Sequence, residues 1–251
     1  MSEILIAGLI FFCLLAASLG SLAIYDRFPA EYRQEDTHDI VKNVANIFVV
    51  MTSLALGLMI NSAKNTFEAV DHNVHVFATE LILLDRKLLQ YGSETADARQ
   101  RLLAYVQQVI DGKWNTDGPL VADDRVAELR LREAGDSLMA IRPPDADHAA
   151  RWNEVQRQFE EVADFHWVLA EQSEGTIPMP LIAMVVAWLI LIFASFGYRA
   201  PKNPVVVLSF VVAAFLISGA IHLILNMDIP FAGPIQVSPA PLQRVIVEMQ
   251  G

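Results

Sequence analysis

Apolar positions follow two kinds of pattern along this 251-residue chain. Four stretches are apolar almost throughout: Ile4–Ile24, Val44–Ile60, Met179–Tyr198 and Val205–Met227. Each approaches the roughly 20 residues that an α-helix needs to cross about 30 Å of hydrocarbon. Between the second and third stretches the pattern turns periodic. Phe67, Val70, Val74, Phe77, Leu81, Leu84 and Leu88 alternate spacings of three and four, the seam of a coiled coil. No proline or glycine interrupts the chain from Asn61 to Tyr91, so the second span is expected to continue as one long helix ending near Gly92.

Further helices are expected over Ser93–Ile110, with Leu102, Tyr105, Val106 and Val109 on one face, and over residues 122–141 and 146–173. The last of these carries Trp152, Val155, Phe159 and Val162 as its seam and stops near Gly175. Asp111-Gly112 and Asp117-Gly118-Pro119 read as turns, and Pro143-Pro144 as a break. Ile177-Pro178 leads into the third span. Beyond the fourth span, Pro230, Gly233 and Pro234 preclude a continuous helix. Ser238 and Pro239 then make an N-cap and first-turn pair. Leu242, Val245, Ile246 and Met249 line a short amphipathic helix that would lie on the membrane surface or on the bundle. The expected fold class is all-α, with four transmembrane helices and an extramembrane helical bundle inserted between spans two and three. Residues 1–60 would hold the first two spans, 61–178 the bundle, 179–227 the last two spans and 228–251 the proline-rich tail.

Composition agrees with a chain divided between membrane and water. It is 54% apolar and 19% charged, with a mean hydropathy of +0.37. Membrane lipid is therefore a partner, and a multi-pass place in the cell membrane is expected, the inner one in a Gram-negative cell. The first span is read as a retained helix, because only Glu3 is charged before it and its apolar run is too long for a signal peptide. Arg27, Arg33, Lys42, Arg199 and Lys202 would share one side of the membrane, against Lys64, Arg157 and Arg244 on the other. That balance favours termini and bundle outside the cytoplasm. A net charge of −11 argues against nucleic acid as a partner. The single cysteine, Cys13, excludes an intrachain disulfide and leaves the redox compartment open.

Candidate chemistry centres on the second span. Asn43, Asn46, Ser53, Gly57 and Asn61 fall roughly on one helical face, with Val50 among them. Such a stripe either packs on neighbouring helices or faces water as the lining of a pore. In the second case Val50, Leu54 and Ile60 would form an apolar neck. His222 shares a face of the fourth span with Ser218 and Asn226, and Asp228 lies just beyond. An intramembrane histidine is either a proton-linked group or, near a span's end, an interfacial anchor. Glu35, His38 and Asp39 precede the second span. They could hold Ca²⁺ or Mg²⁺, or simply form the acidic start that a helix favours. At a pore mouth they would attract cations. Glu68, His72, His75 and Thr79 line the outer face of the long helix, as transition-metal ligands or as solvated polar groups. His166 occupies a seam position and would fix register, while Trp152 and Trp167 read as core or interface residues. There is no HExxH, P-loop, GxSxG or dinucleotide fingerprint. Cys13, in an apolar run, has no reason to be a nucleophile. A non-enzyme is expected, with no cofactor unless Ca²⁺ binds the acidic cluster.

The layout also resembles the bestrophin-like family of bacterial membrane proteins. The resemblance rests on the second span with its helical continuation, on LLAYVQQVIDGKW (Leu102–Trp114), on the Ile177-Pro178 entry to the third span, and above all on PFAGPIQVSPAPL (Pro230–Leu242). It singles out Pro230, Phe231, Gly233, Ser238 and Pro239 as the most specific positions. It implies a distant relation to bestrophin anion channels, pentamers whose pores are lined by the second helix. Self-association is expected independently, because a long heptad helix favours it and two hairpins alone make a thin bundle. The leading expectation is a homo-oligomeric passive channel for small inorganic ions, with anions preferred by family analogy alone. One competitor is a membrane-anchored scaffold or sensor whose bundle binds a partner. Another is a proton-coupled transporter using His222, which would need a broken helix near midmembrane.

Overall fold

The computed structural model describes residues 3–27, 29, 35–114, 120–172, 175, 177–198, 200–231 and 233–251. The side chains of residues 3, 26, 35, 37, 38 and 120–124 also lie outside the description. The described residues form eight α-helices and two short 3-10 turns, and no strand occurs among them. In order, the helices are α1 (Glu3–Ile24), α2 (Glu35–Tyr91), α3 (Ala96–Trp114), α4 (Leu120–Met139), α5 (Ala146–Glu171), α6 (Met179–Gly197), α7 (Pro204–Asp228) and α8 (Ala240–Gln250). Four of them, α1, α2, α6 and α7, are long and apolar enough to cross a membrane. A helix suits that medium because it satisfies its own backbone groups.

The chain divides into two compact units. The first comprises Met1–Asn65 and Thr176–Asp228, and the second Thr66–Gly175 and Ile229–Gly251. α2, at 57 residues, supplies its first part to one unit and the rest to the other. It begins earlier than the sequence suggests. Residues 25–43 read as a loop, yet Tyr25–Arg27 is a 3-10 turn and α2 starts at Glu35. Asp36 and Asp39 in its opening turns complement the positive end of the helix dipole.

The first unit packs Ile10 and Leu14 of α1, Met59 and Ala63 of α2, Leu189 and Phe193 of α6, and Ile221 and Leu225 of α7 into one core. α1 and α6 approach very closely: a Cβ placed on Gly197 would stand 2.1 Å from the carbonyl oxygen of Ser18. Small residues permit such contacts between membrane helices. α6 opens on proline at its first turn, where the missing N–H costs nothing. Asn203 caps α7 by accepting from the Val206 amide at 2.9 Å.

The second unit is a bundle built on the expected seam. Val70, Val74, Phe77, Leu81, Leu84 and Leu88 of α2 are buried against Leu102 and Tyr105 of α3, Leu131 of α4, and Trp152, Val155 and Val162 of α5. Gly92 ends α2 at φ 137, and the Thr95 hydroxyl donates to the Leu88 carbonyl at 2.7 Å, closing the helix. α4 spans Leu120–Met139 rather than residues 122–141. α5 opens after Pro143-Pro144 with Asp145 as N-cap, its carboxylate accepting from the His148 amide at 2.8 Å. The Asp117-Gly118-Pro119 turn lies outside the described residues.

One turn expected from the sequence is corrected here. Asp111-Gly112 is not a turn, because α3 runs through it to Trp114. A mid-helix glycine costs about 1 kcal/mol, and the contacts of Lys113 and Trp114 outweigh that. The Trp114 indole N–H donates to the Val237 carbonyl at 2.6 Å, and its ring meets Phe231 edge-on. The tail, left between membrane surface and bundle by its sequence, packs on the bundle. Phe231, Val237, Leu242, Val245 and Met249 all belong to the second unit's core. Ser238 accepts from the Ala240 amide at 3.2 Å, and Pro239 has helical dihedrals just ahead of α8.

Candidate functional site

The first part of α2 presents three faces. Its inward face is Ala45, Thr52, Met59 and Ala63, all buried. Their spacings of seven, seven and four keep them on one side of a 3.6-residue helix. A second face is Ile40, Val44, Ile47, Met51, Leu54 and Leu58, exposed and wholly apolar. That row suits lipid tails. The third face is Asn43, Asn46, Val50, Ser53, Gly57 and Asn61, every one of them exposed. Helical register therefore separates the polar stripe from both the core and the apolar row.

Contacts among the described residues do not account for the stripe. A Cβ on Gly57 would meet nothing within 4 Å among the described residues, so none of them uses its small size. Ser53 turns its hydroxyl back to the Val49 carbonyl at 2.8 Å, a satisfied arrangement for an apolar or a wet setting. Among the described residues the asparagines gain no such cover. An amide moved into hydrocarbon without a partner costs several kcal/mol, on the order of 4–8 by cyclohexane scales. Water or another protein surface must therefore meet this face. Of the three apolar residues expected to form a neck, Val50 lies on the stripe at 69% exposure and Leu54 falls with the apolar row.

The other sequence candidates are placed as follows. Asn226 is fully buried on α7, its amide donating to the His222 carbonyl at 2.8 Å and lying 3.1 Å from the His222 ring. Asp228, also buried, accepts from the Ile177 amide at 3.0 Å, so it joins the end of α7 to the lead-in of α6. Of the acidic cluster ahead of the second span, Asp39 is exposed, while the side chains of Glu35 and His38 lie outside the described residues. Glu68, His72, His75 and Thr79 are exposed along α2. His75 Nδ1 bonds to the Asp71 carbonyl at 2.9 Å. Among the described residues no group of three or more histidine, cysteine or acidic side chains could hold a metal ion. His166 is buried in the bundle with its Nδ1 2.9 Å from the Tyr105 hydroxyl. Trp152 is buried, whereas Trp167 is 56% exposed.

Sequence reasoning missed two things. The first is Arg99, which grips Asp85 through both carboxylate oxygens at 2.6 and 3.2 Å and donates to the Met249 carbonyl at 3.1 Å. It thereby ties α2, α3 and the last turn of α8 together. The second is Thr52, a hydroxyl on the buried face. Its place in the 45–52–59 spacing was the available signal.

With four apolar helices, a polar-striped α2 and a helical second unit, the molecule is a multi-pass membrane protein of all-α architecture. It belongs to the Bestrophin-like domain family, whose pattern it matches over residues 12–242. The fold is that of a bacterial Bestrophin homologue from Klebsiella pneumoniae. One crystal structure of it, solved by zinc anomalous phasing, aligns over 96% of both chains with a TM-score of 0.67 at 12% identity. Two of its point mutants align over 97% of both chains, each at 13% identity, with TM-scores of 0.68 and 0.69. No curated protein matches the chain in sequence.

Proposed function

We propose that the protein is one subunit of a homo-oligomeric passive ion channel whose pore is lined by the stripe of α2. The observation that carries this reading is the exposure of Asn43, Asn46, Ser53, Gly57 and Asn61 beside a separate, apolar row. A helix that faced lipid on both rows would have no reason to segregate them. Copies arranged around an axis would turn the apolar row toward lipid and neighbours, and the polar row toward water. Val50 would then form an apolar ring between polar ones, a constriction that gates by dewetting. Selectivity for anions and assembly as a pentamer follow the bestrophin relation. Asp36 and Asp39 at the start of α2 oppose anions, and Lys42 beside them offsets part of that field. Nothing in the reading requires catalysis or a bound cofactor.

Cysteine accessibility in membranes tests it. A thiol at Asn46 or Ser53 should react with a charged, water-soluble methanethiosulfonate, and one at Met51 or Met59 should not. Equal protection at all four positions would overturn the pore assignment and leave the stripe as a packing surface between copies.

A further inference from the structure

Where α1 ends and α7 begins, a groove of about 700 Å³ opens on the surface of the first unit. Leu19, Leu22 and Ala23 of α1 form one wall, and Val207, Leu208 and Val211 of α7 the other. Lys202 and Asn203, just ahead of α7, line its mouth. The groove is therefore apolar along its length and polar at one end. That end lies at headgroup depth. Tyr25, just past α1, meets Tyr198, just past α6, with ring centroids 5.0 Å apart at 89°, and tyrosines gather at the membrane boundary. From Pro204 to Val211 α7 advances about 10 Å at 1.5 Å per residue, most of the roughly 15 Å of hydrocarbon in one leaflet.

The chemistry of the mouth narrows the occupant. The Lys202 ammonium is a donor only, and Asn203, whose side-chain oxygen accepts from the Val206 amide at 2.9 Å, adds an NH₂ group. The N-terminus of α7, the positive end of its dipole, lies at the same place. Among the described residues that line the groove, none is acidic. Asp26 and Arg27, in the 3-10 turn after α1, offset each other in charge, so Lys202 sets the sign here. A positive mouth above an apolar channel matches a molecule with a negative head and a hydrocarbon chain. A zwitterionic headgroup would bring a cation with no carboxylate to receive it. Free phosphate would leave the apolar walls bare.

We infer that this groove is a binding site for an anionic phospholipid, its phosphate on Lys202 and one acyl chain along Leu22 and Val207. Basic pockets between membrane helices take such headgroups. None of the lining residues belongs to α2. The site therefore does not depend on conduction, and its test reads binding alone.

The experiment uses the full-length protein, delipidated in detergent, and native mass spectrometry, which counts bound lipids and subunits together. Phosphatidylglycerol and phosphatidylcholine with identical acyl chains are titrated separately. Phosphatidylglycerol should bind about fivefold more tightly, the worth of one lysine beside an anionic headgroup. Lys202→Gln should remove that preference and leave phosphatidylcholine binding unchanged. Lys42→Gln, at an exposed lysine of α2, should keep the preference. Ala23→Trp, at an exposed position of the wall, should fill the groove and weaken both lipids. If that variant fails to fold, the Lys202→Gln titration decides the matter. Equal binding of the two lipids by the parent would overturn the proposal. So would a preference that survives Lys202→Gln, or one that falls equally with Lys42→Gln and so belongs to the general surface charge. Loss of subunits with Ala23→Trp while both lipids still bind would also overturn it, and would make the groove a contact between copies.

Discussion

The indole of Trp114 stands edge-on to the ring of Phe231, centroids 5.1 Å apart at 85°. Lys113 approaches the same ring, its Nζ 4.9 Å from the centroid. The end of α3 and the start of the tail motif are thus one packed corner, closed further by the Val237 amide donating to the Pro230 carbonyl at 2.9 Å. Phe231→Ala should destabilise the second unit by about 3–5 kcal/mol, the usual cost of deleting a buried ring. Gly233, at φ 85, should tolerate valine poorly, at about 1–2 kcal/mol. Urea unfolding in detergent measures both. Native electrophoresis of the same samples shows whether assembly suffers with them.

Gly197 is held by a steric argument. Its missing Cβ would lie 2.1 Å from Ser18 O, and backbone cannot yield as a side-chain tip can. Gly197→Ala should therefore push α1 and α6 apart and cost about 1–3 kcal/mol. Ser18→Ala is the control, because the Ser18 hydroxyl bonds only within its own helix in the described contacts, to Leu14 and Leu15. A lower melting temperature for the glycine variant and near-native melting for the serine variant are expected. The reverse order would refute the close approach.

Tyr105 and His166 form a polar pair inside the bundle, 2.9 Å apart. Tyr105→Phe keeps the ring that meets Phe77 at 6.4 Å but removes the hydroxyl. It should cost about 1–3 kcal/mol through loss of a buried partner. A chemical unfolding curve with unchanged slope and a lower midpoint is the expected result.

Asp145 gives a pH-dependent prediction. Its carboxyl titrates below the ordinary 3.8 because it accepts from the His148 amide first and from the His148 side chain second. A folded value depressed below the unfolded one contributes stability that is complete above the unfolded value. That stability is lost as pH falls through the folded value. Asp145→Ala should thus lower the melting temperature at neutral pH, and the gap between variant and parent should close below about pH 4. A gap that persists unchanged in acid would show that the cap is not the cause.

How far the sequence reveals this architecture depends on the residue. The seam from Val70 to Leu88 is legible because apolar periodicity and packing say the same thing. The break before α5 is legible because Pro143-Pro144 leaves the backbone little choice. Gly112 misleads, since its intrinsic cost is small beside the packing of Trp114 on Phe231, a contact more than 100 residues away along the chain. The start of α2 misleads for a related reason: polar residues from Glu35 onward look like a loop but are compatible with a solvated helix end. The stripe is legible as a face. Its separation from an apolar exposed row becomes plain only once the buried face is fixed by Ala45, Thr52 and Met59. The groove at Lys202 depends on how α1 and α7 meet, which no local pattern encodes.

The most direct test of the pore assignment is ion flux from liposomes holding the purified protein, with chloride and potassium gradients imposed separately. Selective flux is expected that Asn46→Leu or Ser53→Leu abolishes and that Leu58→Ala, on the apolar row, leaves unchanged. An absence of flux across a range of pH and Ca²⁺, or flux indifferent to the stripe substitutions, would contradict it.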